Sequence, residues 1–301
     1  MHDTPTVELL DLSKRYGRST NLALNQVSLK VFKGEVYGFL GANGAGKSTT
    51  IRTLLNFIQP SGGSATILGY DIVAQSVEVK RHIGYLSGEF AAYGGMTGSQ
   101  FLKYMAELQP PKHKNTQNEL AHMFDAELDK PIIELSKGNR QKIGIIQAFM
   151  HEPDVLILDE PTSGLDPLRQ ESFYKLVRSS CQRGASVFVS SHNFTEVQRM
   201  CDRVGFIREG KLVAEKTLAD MANQAAHTFN LTFKDEAPIH QLRQINHTEV
   251  TSIDSRHVTI SIQGELTPLF KVLANYHVLR LEQQEVNLEE EFLRFYKGSN
   301  A

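Results

Sequence analysis

The sequence predicts an α/β protein with a mostly parallel, three-layer core. A short apolar run at residues 36–40 leads into a glycine-rich loop and then into a segment suited to a helix. Two more apolar runs, at residues 155–158 and 185–190, are separated by helical segments. Buried strands that alternate with helices are typical of parallel sheets with helices packed on their faces.

The pattern changes near Met221, which indicates a second domain. Beyond this point two short stretches alternate apolar with polar residues, and their apolar members are Phe229, Leu231, Phe233, Val258, Ile260 and Ile262. A helical stretch at 269–274, a strand at 278–281 and a last helix that opens at Asn287 follow. We therefore expect residues 6–225 to form the larger domain and residues 226–301 to form a small α+β accessory domain.

Local patterns predict the remaining elements of the larger domain. Alternating or short apolar runs predict strands at residues 7–12, 24–32, 65–68 and 83–86. Apolar residues at helical spacing predict helices between residues 97 and 131, over residues 135–150, and in a segment that ends near Arg183. These elements alternate along the chain as a parallel α/β core requires.

Composition excludes several classes of protein. The formal net charge of −2, with no basic stripe, gives no support for nucleic-acid binding. Cys181 and Cys201 lack the spacing of a metal site, so we expect buried thiols in a reducing compartment. The first residues do not resemble a signal peptide, and no run of 18 apolar residues is present, so we expect a soluble, cytoplasmic protein.

The glycine-rich loop carries the strongest functional signal. It fits the pattern G-x-x-x-x-G-K-[ST] and comprises Gly41, Ala42, Asn43, Gly44, Ala45, Gly46, Lys47, Ser48 and Thr49. Glycines let backbone N–H groups turn toward phosphate oxygens, and the N-terminus of the following helix adds partial positive charge. Lys47 is expected to reach the β- and γ-phosphates and the Ser48 hydroxyl to bind Mg²⁺. The loop therefore predicts a nucleotide site.

Two carboxylates follow the apolar strand at residues 155–158. Asp159 at the end of a buried strand beside the phosphate loop is placed to hold Mg²⁺. Glu160 is then placed to orient or deprotonate an attacking water. The alternative is a solvated pair of acids with no catalytic role.

Several of these motifs together resemble the ATP-binding cassette (ABC) family. Residues 135–139 resemble its signature sequence, and residues 159–166 resemble the Walker B motif running into the D-loop. His192 falls at the family's switch histidine, and Tyr16 matches its adenine-stacking position, with a half-buried aromatic at a strand end as the alternative. The match runs from residue 6 to about residue 225.

The resemblance implies a mechanism. In this family two domains pack head to tail, with ATP held between the phosphate loop of one chain and the signature helix of the other. Ser136 and Gly138 would then bind the γ-phosphate across the interface, Asp166 would bridge toward the opposite site, and His192 would contact the γ-phosphate and the attacking water. The expected cofactors are ATP and Mg²⁺, and the expected partner is a second ABC subunit, identical or different.

The sequence departs from the family pattern at the signature and at the Q-loop. The signature has Lys137 and Asn139 where glycine and glutamine are commonest, although the serine and the second glycine remain. The Q-loop position holds Gly88, with Glu89 next. Glu89 is a candidate Mg²⁺ ligand or water-positioning residue, and a plain loop acid is the alternative.

The end of the chain resembles one particular branch of the ABC family. Residues 287–293 resemble the end of the accessory domain on ATPase subunits of bacterial ABC-2-type exporters of drugs, peptide antibiotics, ions or polysaccharides. The resemblance implies a subunit at the cytoplasmic face of the membrane that powers a permease encoded on a separate chain. The alternative is a soluble ABC-type ATPase regulator that is not coupled to transport.

Overall fold

The computed structural model describes residues 4–17, 20–88, 95–113, 115–224 and 227–284. The chain divides into two compact units, Met1–Lys216 and Thr217–Ala301, which we call the first unit and the C-terminal unit. The division falls before the boundary at residue 225 that the sequence predicted, because a helix at Leu218–Gln224 belongs with the C-terminal unit.

The first unit contains ten strands among its described residues. In chain order they are β1 (Val7–Arg15), β2 (Leu22–Val31), β3 (Val36–Leu40), β4 (Gly62–Ile67), β5 (Tyr70–Asp71), β6 (Ile83–Leu86), β7 (Val155–Asp159), β8 (Ser186–Ser191), β9 (Arg203–Arg208) and β10 (Lys211–Thr217, which ends one residue past the division). Strands β3 and β6 have the predicted bounds, whereas β5, β9 and β10 were not predicted.

Along the chain, helices of the first unit connect these strands. They are α1 (Lys47–Leu54), α2 (Ser76–Arg81), α3 (Gly98–Leu108), α4 (Thr116–Phe124), α5 (Lys137–Phe149), α6 (Pro167–Gln182) and α7 (Phe194–Met200). A short 3₁₀ turn at Ile132–Glu134 precedes α5. Thr97 begins α3 with a capping box, in which its hydroxyl accepts from Gln100 and the Gln100 side chain accepts in return.

Two sheets and a helical layer form the first unit, which confirms the predicted fold class. A six-stranded sheet has the order β10-β9-β3-β8-β7-β6, and its strands β9, β3, β8, β7 and β6 run parallel to one another. A four-stranded antiparallel sheet has the order β2-β1-β4-β5. Helices α5, α6 and α7 contact the parallel sheet at β6, β8 and β3.

The core of the first unit lies between the two sheets. It combines aliphatic residues of β1 and β2 with aromatic residues of the parallel sheet, such as Tyr37, Phe39 and Phe188. All five residues of β7 are buried, which is expected of a strand covered on both faces. This packing fixes the carboxyl ends of β3, β7 and β8, where the candidate site lies.

The C-terminal unit has its own fold and core. After α8 (Leu218–Gln224), its elements are β11 (His227–Phe233), α9 (Ile239–Arg243), β12 (Thr248–Ser252), β13 (His257–Ile262), α10 (Thr267–Leu273) and β14 (Val278–Gln283). The strands form an antiparallel sheet of order β12-β13-β11-β14, which is the βαββαβ arrangement of ferredoxin-like folds. The alternating apolar residues of β11 and β13 form the core with Leu242 and Leu269. The sequence did not predict α9 and β12, and the last helix that it predicted lies outside the described residues.

A candidate nucleotide-binding site

The phosphate loop connects β3 to α1 and is shaped by close packing at its glycines. Gly46 is the N-cap of α1 and has a φ of 118°, a conformation that side chains disfavour. A Cβ at Gly41 would lie 2.5 Å from the Ile207 carbonyl oxygen, and one at Gly46 would lie 2.9 Å from the Ala23 carbonyl oxygen. Side chains at either position would push the loop off the sheet. The loop thus presents backbone N–H groups and a helix N-terminus at one point.

Lys47 lies at the centre of this loop with a side chain that is 5% exposed. Its Nζ donates to the Gly41 carbonyl at 2.7 Å and to the Ala42 carbonyl at 3.2 Å, and it lies 3.8 Å from Glu160 Oε1. Burial lowers the pKa of Lys47, while Glu160 and Asp159 act in the opposite direction. The loop therefore leads into a buried cation at the first residue of α1.

Asp159 and Glu160 follow β7 at the same edge of the sheet. Asp159 is the buried last residue of the strand, and its Oδ1 accepts a hydrogen bond from the Ser190 hydroxyl on β8. Glu160 has a φ of 47°, and its N–H donates to the Ser190 carbonyl at 3.1 Å. A non-glycine residue in this region is strained, and such residues cluster at functional sites. The turn aims the Glu160 carboxylate at the phosphate loop.

His192 follows β8 and completes the group. Its Nδ1 lies 2.9 Å from Glu160 Oε1, and its side chain is 55% exposed. Because β3, β7 and β8 are parallel neighbours, their carboxyl ends meet at one edge. This topology brings Lys47, Glu160 and His192 together although they are far apart in the sequence.

A cavity of about 500 Å³ opens at this edge. Its described lining residues are Ser48, Arg52, Tyr85, Ser87, Gly88, Lys137, Asp159, Glu160 and Ser163. The Ser48 hydroxyl and the Asp159 carboxylate both line it, and hard oxygen donors of this kind suit Mg²⁺ when phosphates and water supply the other ligands. Among the described residues no group of three or more His, Cys, Asp or Glu side chains forms a metal site of its own.

Tyr16 lies just after β1, beside the phosphate loop. Its hydroxyl is 3.4 Å from Thr49 Oγ1, and Lys14 Nζ lies 5.6 Å from its ring centroid. The side chain is 45% exposed. The structure therefore places an accessible aromatic ring next to the loop, as adenine stacking requires, and that role stays a prediction.

The signature residues begin α5. Ser136 is the N-cap, and its hydroxyl accepts from the Asn139 N–H at 3.2 Å. Neither Ser136 nor Gly138 is among the described residues that line the cavity. Asp166, at the start of α6, is exposed and caps that helix by accepting from the Arg169 N–H at 3.1 Å. These residues thus have local structural roles, and their roles toward a second subunit stay predictions.

The D-loop segment after Glu160 is held by the signature helix. Lys137 Nζ donates to the Ser163 hydroxyl at 2.9 Å, and Gln141 Nε2 donates to the Pro161 carbonyl at 2.8 Å. A Cβ at Gly138 would lie 2.6 Å from the Gly164 carbonyl oxygen. The departure from the commonest signature at Lys137 therefore supplies an extra contact between the two motifs.

Glu196 on α7 is a site residue that sequence reasoning missed. One carboxylate oxygen accepts from the Thr162 hydroxyl, and the other accepts from the Ser191 hydroxyl at 2.8 Å. Glu196 thus joins the segment after Glu160 to the segment that carries His192. Its position four residues after His192 was the available signal, but the contact depends on how the segment after Glu160 meets the end of β8 and α7, which no local pattern specifies.

The Q-loop region is described up to Gly88. Gly88 lines the cavity, and a Cβ there would lie 3.3 Å from the Asp159 carbonyl oxygen. Glu89, the proposed Mg²⁺ ligand or water-positioning residue, lies outside the described residues.

Two further expectations concern cysteines and membrane spans. Cys201 is buried and Cys181 is partly buried, and burial raises the pKa of the Cys181 thiol to about 11. Both thiols are therefore poor nucleophiles. Among the described helices, none combines the length and apolar character needed to cross a bilayer.

Known proteins resemble this chain. A family model described as ABC transporter matches residues 24–163. The bacitracin transport ATP-binding protein BcrA of Bacillus licheniformis is 33% identical over 97% of each chain. The linearmycin resistance ATP-binding protein LnrL of Bacillus subtilis is 31% identical over 94% of this chain and 96% of its own length.

A third relative is longer. The probable multidrug ABC transporter ATP-binding protein YbhF of Escherichia coli is 35% identical over 73% of this chain, and the match spans 39% of that protein. This chain therefore corresponds to less than half of that relative.

Solved structures confirm the fold. The structure of an ATP-binding subunit of an ABC transporter is 29% identical, with a TM-score of 0.66 over 72% of this chain and 92% of that chain. A dimeric ATP-binding cassette bound to ADP and phosphate is 21% identical, with a TM-score of 0.64 over 70% of this chain and 98% of that one. At that identity the second likeness concerns the fold.

The motifs, the fold and the relatives agree with one another. The phosphate loop, Asp159 and Glu160 lie at one edge of a parallel sheet, and the BcrA relative matches over nearly the full length of both chains. This protein therefore belongs to the ATP-binding proteins of ABC transporters, a family of ATPases.

Proposed function

We propose that this chain binds and hydrolyses ATP as one half of a dimer and thereby powers a membrane exporter. One observation carries the proposal: Lys47, Glu160 and His192 meet at the carboxyl ends of β3, β7 and β8, next to a cavity lined by Ser48 and Asp159. This is an arrangement for binding phosphate, holding a divalent cation and activating water.

The phosphate end of ATP would occupy the loop. Backbone N–H groups of residues 41–49 and the N-terminus of α1 favour negative charge, and Lys47 adds a full positive charge. Mg²⁺ would be held by Ser48 and Asp159 and would supply charge neutralisation on the phosphates. Tyr16 would stack on the adenine.

Glu160 is proposed as the base for hydrolysis. It takes a proton from a water whose oxygen bonds to the γ-phosphorus, while the bond from that phosphorus to the bridging oxygen breaks and ADP leaves. The 2.9 Å contact between Glu160 Oε1 and His192 Nδ1 holds the carboxylate in place. The half-exposed His192 ring is then a candidate contact for the γ-phosphate.

The site is proposed to need a second subunit. Ser136 and Gly138 offer a hydroxyl and a helix N-terminus to an anion, yet they are not among the described residues lining the cavity of their own chain. In a head-to-tail pair they would face the γ-phosphate of the other chain, and Asp166 would lie toward the opposite site. ATP would therefore close the dimer and hydrolysis would open it.

The exporter role is supported by the relatives. Two that match along nearly their whole length are named for bacitracin transport and linearmycin resistance. We propose an ABC-2-type system in which this chain works at the cytoplasmic face of the membrane with a permease on a separate chain. The cargo class, a drug or a peptide antibiotic, is part of this proposal.

The competing function is an ABC-type ATPase regulator that is not coupled to transport. Affinity isolation of the full-length chain from native membranes, followed by ATPase assay, separates the two. We expect an integral membrane protein to co-purify in fixed proportion and to change the ATPase rate of the chain, with Glu160→Gln abolishing that activity. A chain that purifies without a membrane protein and hydrolyses ATP at an unaltered rate would contradict the exporter role.

A further inference from the structure

The C-terminal unit has an edge strand, β14, that carries exposed leucines. Strand β14 ends the sheet, pairs with β11 on one side, and has no described strand on its other side. Leu279 is 67% exposed and Leu281 is 41% exposed. An exposed edge strand can pair with another strand, and charges and bulges restrict which strands it accepts. Strand β14 carries Arg280, Glu282 and a register shift at Leu279, so a partner strand has to match its charges.

The direction of the backbone groups on β14 can be worked out from one hydrogen bond. The Gln284 N–H donates to the Thr228 carbonyl on β11 at 2.8 Å. In an antiparallel ladder, the N–H and C=O of successive residues point to opposite sides. Those of Arg280 and Glu282 therefore point to β11, and those of Leu281 and Gln283 point outward. A register shift between Thr232 and Phe233 interrupts the regular ladder at Leu279. The open edge therefore presents the pairing groups of Leu281 and Gln283.

The side chains of β14 are complementary to a second copy of the same strand. Antiparallel pairing about a two-fold axis at Leu281 puts Leu281 opposite Leu281 of the second copy and Leu279 opposite Gln283. It also puts Arg280 of each copy opposite Glu282 of the other. Within one chain, Arg280 Nη2 and Glu282 Oε1 lie 2.6 Å apart, so both charges are on one face of the strand. Opposite charges on facing residues favour this register.

The two faces of the strand are also consistent with this pairing. Leu281 lies opposite Leu231, a core residue of β11, so it belongs to the face of the sheet that forms the core. Self-pairing joins the two exposed Leu281 side chains beside the cores of both copies and leaves the charge pairs on the other face. Strand β12, at the opposite edge, carries Glu249 as its charged residue, so self-pairing there gains no opposite charge.

We propose that β14 pairs antiparallel with β14 of a second copy, which joins the two four-stranded sheets into one continuous sheet. The contact is independent of ATP and of the phosphate loop, so it goes beyond the proposed function. It gives the chain a second interface with its own kind, centred on Leu281 and fixed in register by Arg280 and Glu282.

Cysteine cross-linking in the nucleotide-free full-length chain tests the register. Cys181 is first replaced by serine, and the buried Cys201 is kept. Facing Cα atoms of a hydrogen-bonded antiparallel pair lie about 5.5 Å apart, within the reach of a disulfide. Leu281→Cys is therefore expected to form a covalent dimer under mild oxidation. In Leu279→Cys the two thiols lie four residues apart along the strand, about 13 Å, and cannot be bridged. No dimer for Leu281→Cys, or equal dimer from both variants, overturns the proposal.

Charge exchange tests the pairing independently. Without nucleotide, Arg280→Glu and Glu282→Arg are each expected to weaken self-association by about tenfold, because like charges then face each other twice in the dimer. The double exchange Arg280→Glu/Glu282→Arg is expected to restore it. Arg243→Glu on α9 and Glu249→Arg on β12 are matched controls that should leave it unchanged. A double exchange as weak as either single variant, measured by sedimentation, overturns the proposal.

Discussion

The two units of this chain use their sheets in opposite ways. In the first unit, β3, β7 and β8 run parallel, so their carboxyl ends bring the phosphate loop, the Asp159–Glu160 pair and His192 to one edge. In the C-terminal unit neighbouring strands are antiparallel, and consecutive strand ends lie at opposite edges. Parallel topology thus brings the reactive side chains to a single edge, whereas the antiparallel sheet presents its outer strand for pairing.

The two units also differ in the surroundings of their charged side chains. At the edge of the first unit, carboxylates accept hydrogen bonds from hydroxyls of neighbouring segments: Asp159 from Ser190, and Glu196 from Thr162 and Ser191. In the C-terminal unit the notable charges, Arg280 and Glu282, lie on an exposed strand. Changes in the first unit should therefore affect ATP chemistry, and changes in the second should not.

The largest effect is expected from Glu160→Gln. Losing a general base reduces turnover by about 10²- to 10⁴-fold. ATP binding should persist, because Lys47 and the loop are unchanged. Steady-state ATPase kinetics and a nucleotide-binding titration measure the two effects. Glu265→Gln, an exposed acid of the C-terminal unit, is the matched control and should hydrolyse ATP normally. An active Glu160→Gln variant would contradict the role of the carboxylate.

Lys47→Ala is expected to weaken ATP binding. Charge-assisted hydrogen bonds contribute about 1.5–3 kcal/mol each, which corresponds to a loss of about 10- to 100-fold in affinity. Titration with a fluorescent ATP analogue measures it. Lys142→Ala serves as control, since Lys142 Nζ bonds the Asp125 carbonyl in an exposed position. Equal affinity in wild type and Lys47→Ala would refute a phosphate contact.

Glu196→Gln should lower turnover without changing ATP affinity. The amide replaces one acceptor oxygen with a donor, so only one of the two hydroxyls of Thr162 and Ser191 can still donate to this side chain. We expect turnover to fall by about tenfold, as the loss of one hydrogen bond to a charged group would give. Glu171→Gln, whose exposed acid pairs with Arg199, is the control. A change in KM with unchanged turnover would show that Glu196 does not position the catalytic loops.

The pH dependence of stability should differ between the units. Burial lowers the pKa of His151 below its ordinary value of 6.5. The unfolded chain therefore binds a proton that the folded chain resists, and stability falls as the pH drops below about 6.5. His151→Gln removes this contribution to the pH dependence of stability and keeps a polar group near the Ile83 carbonyl.

Thermal unfolding between about pH 7.5 and pH 5.5 tests this linkage. His151→Gln should lose less stability on acidification than wild type does. His240→Gln, which changes an exposed histidine of the C-terminal unit, should keep the wild-type pH dependence. Identical slopes for wild type and His151→Gln would show that His151 does not contribute.

The smallest effect is expected from removing the C-terminal unit. A chain that ends at Lys216 retains every described lining residue of the cavity. Its ATP affinity should change by less than about twofold, as for distant, independent sites. A nucleotide titration of the purified fragment measures it, with circular dichroism as the folding control. A folded fragment that has lost ATP binding would show that the first unit needs the C-terminal unit to bind ATP.

Much of the first unit could be predicted because its signals are local. Residues 36–49 form a strand and a loop whose spacing is itself the motif, and β3 has its predicted bounds. Strand β9 was missed because charged residues stand at both of its ends, Arg203 and Arg208, although its interior is buried. Its burial comes from pairing with β3, which is not a local property.

The contacts of the site were less predictable than its members. The motif named Lys137 as a departure, but not that its Nζ reaches Ser163. Glu196 was missed because its role depends on contacts with Thr162 and Ser191, which meet α7 only in the folded chain. In the C-terminal unit the alternation in β11 and β13 was visible, whereas the sheet order that leaves β14 at an edge was not.

Sedimentation of the Glu160→Gln chain with and without MgATP tests whether two copies share the nucleotide. Arg280→Glu is included to suppress pairing through β14. We expect the mass of one chain without nucleotide and of two chains with MgATP. When Lys47→Ala is added, we expect the mass of one chain under both conditions. A Glu160→Gln chain that binds ATP yet keeps the mass of one chain would contradict the proposal that two copies share the nucleotide.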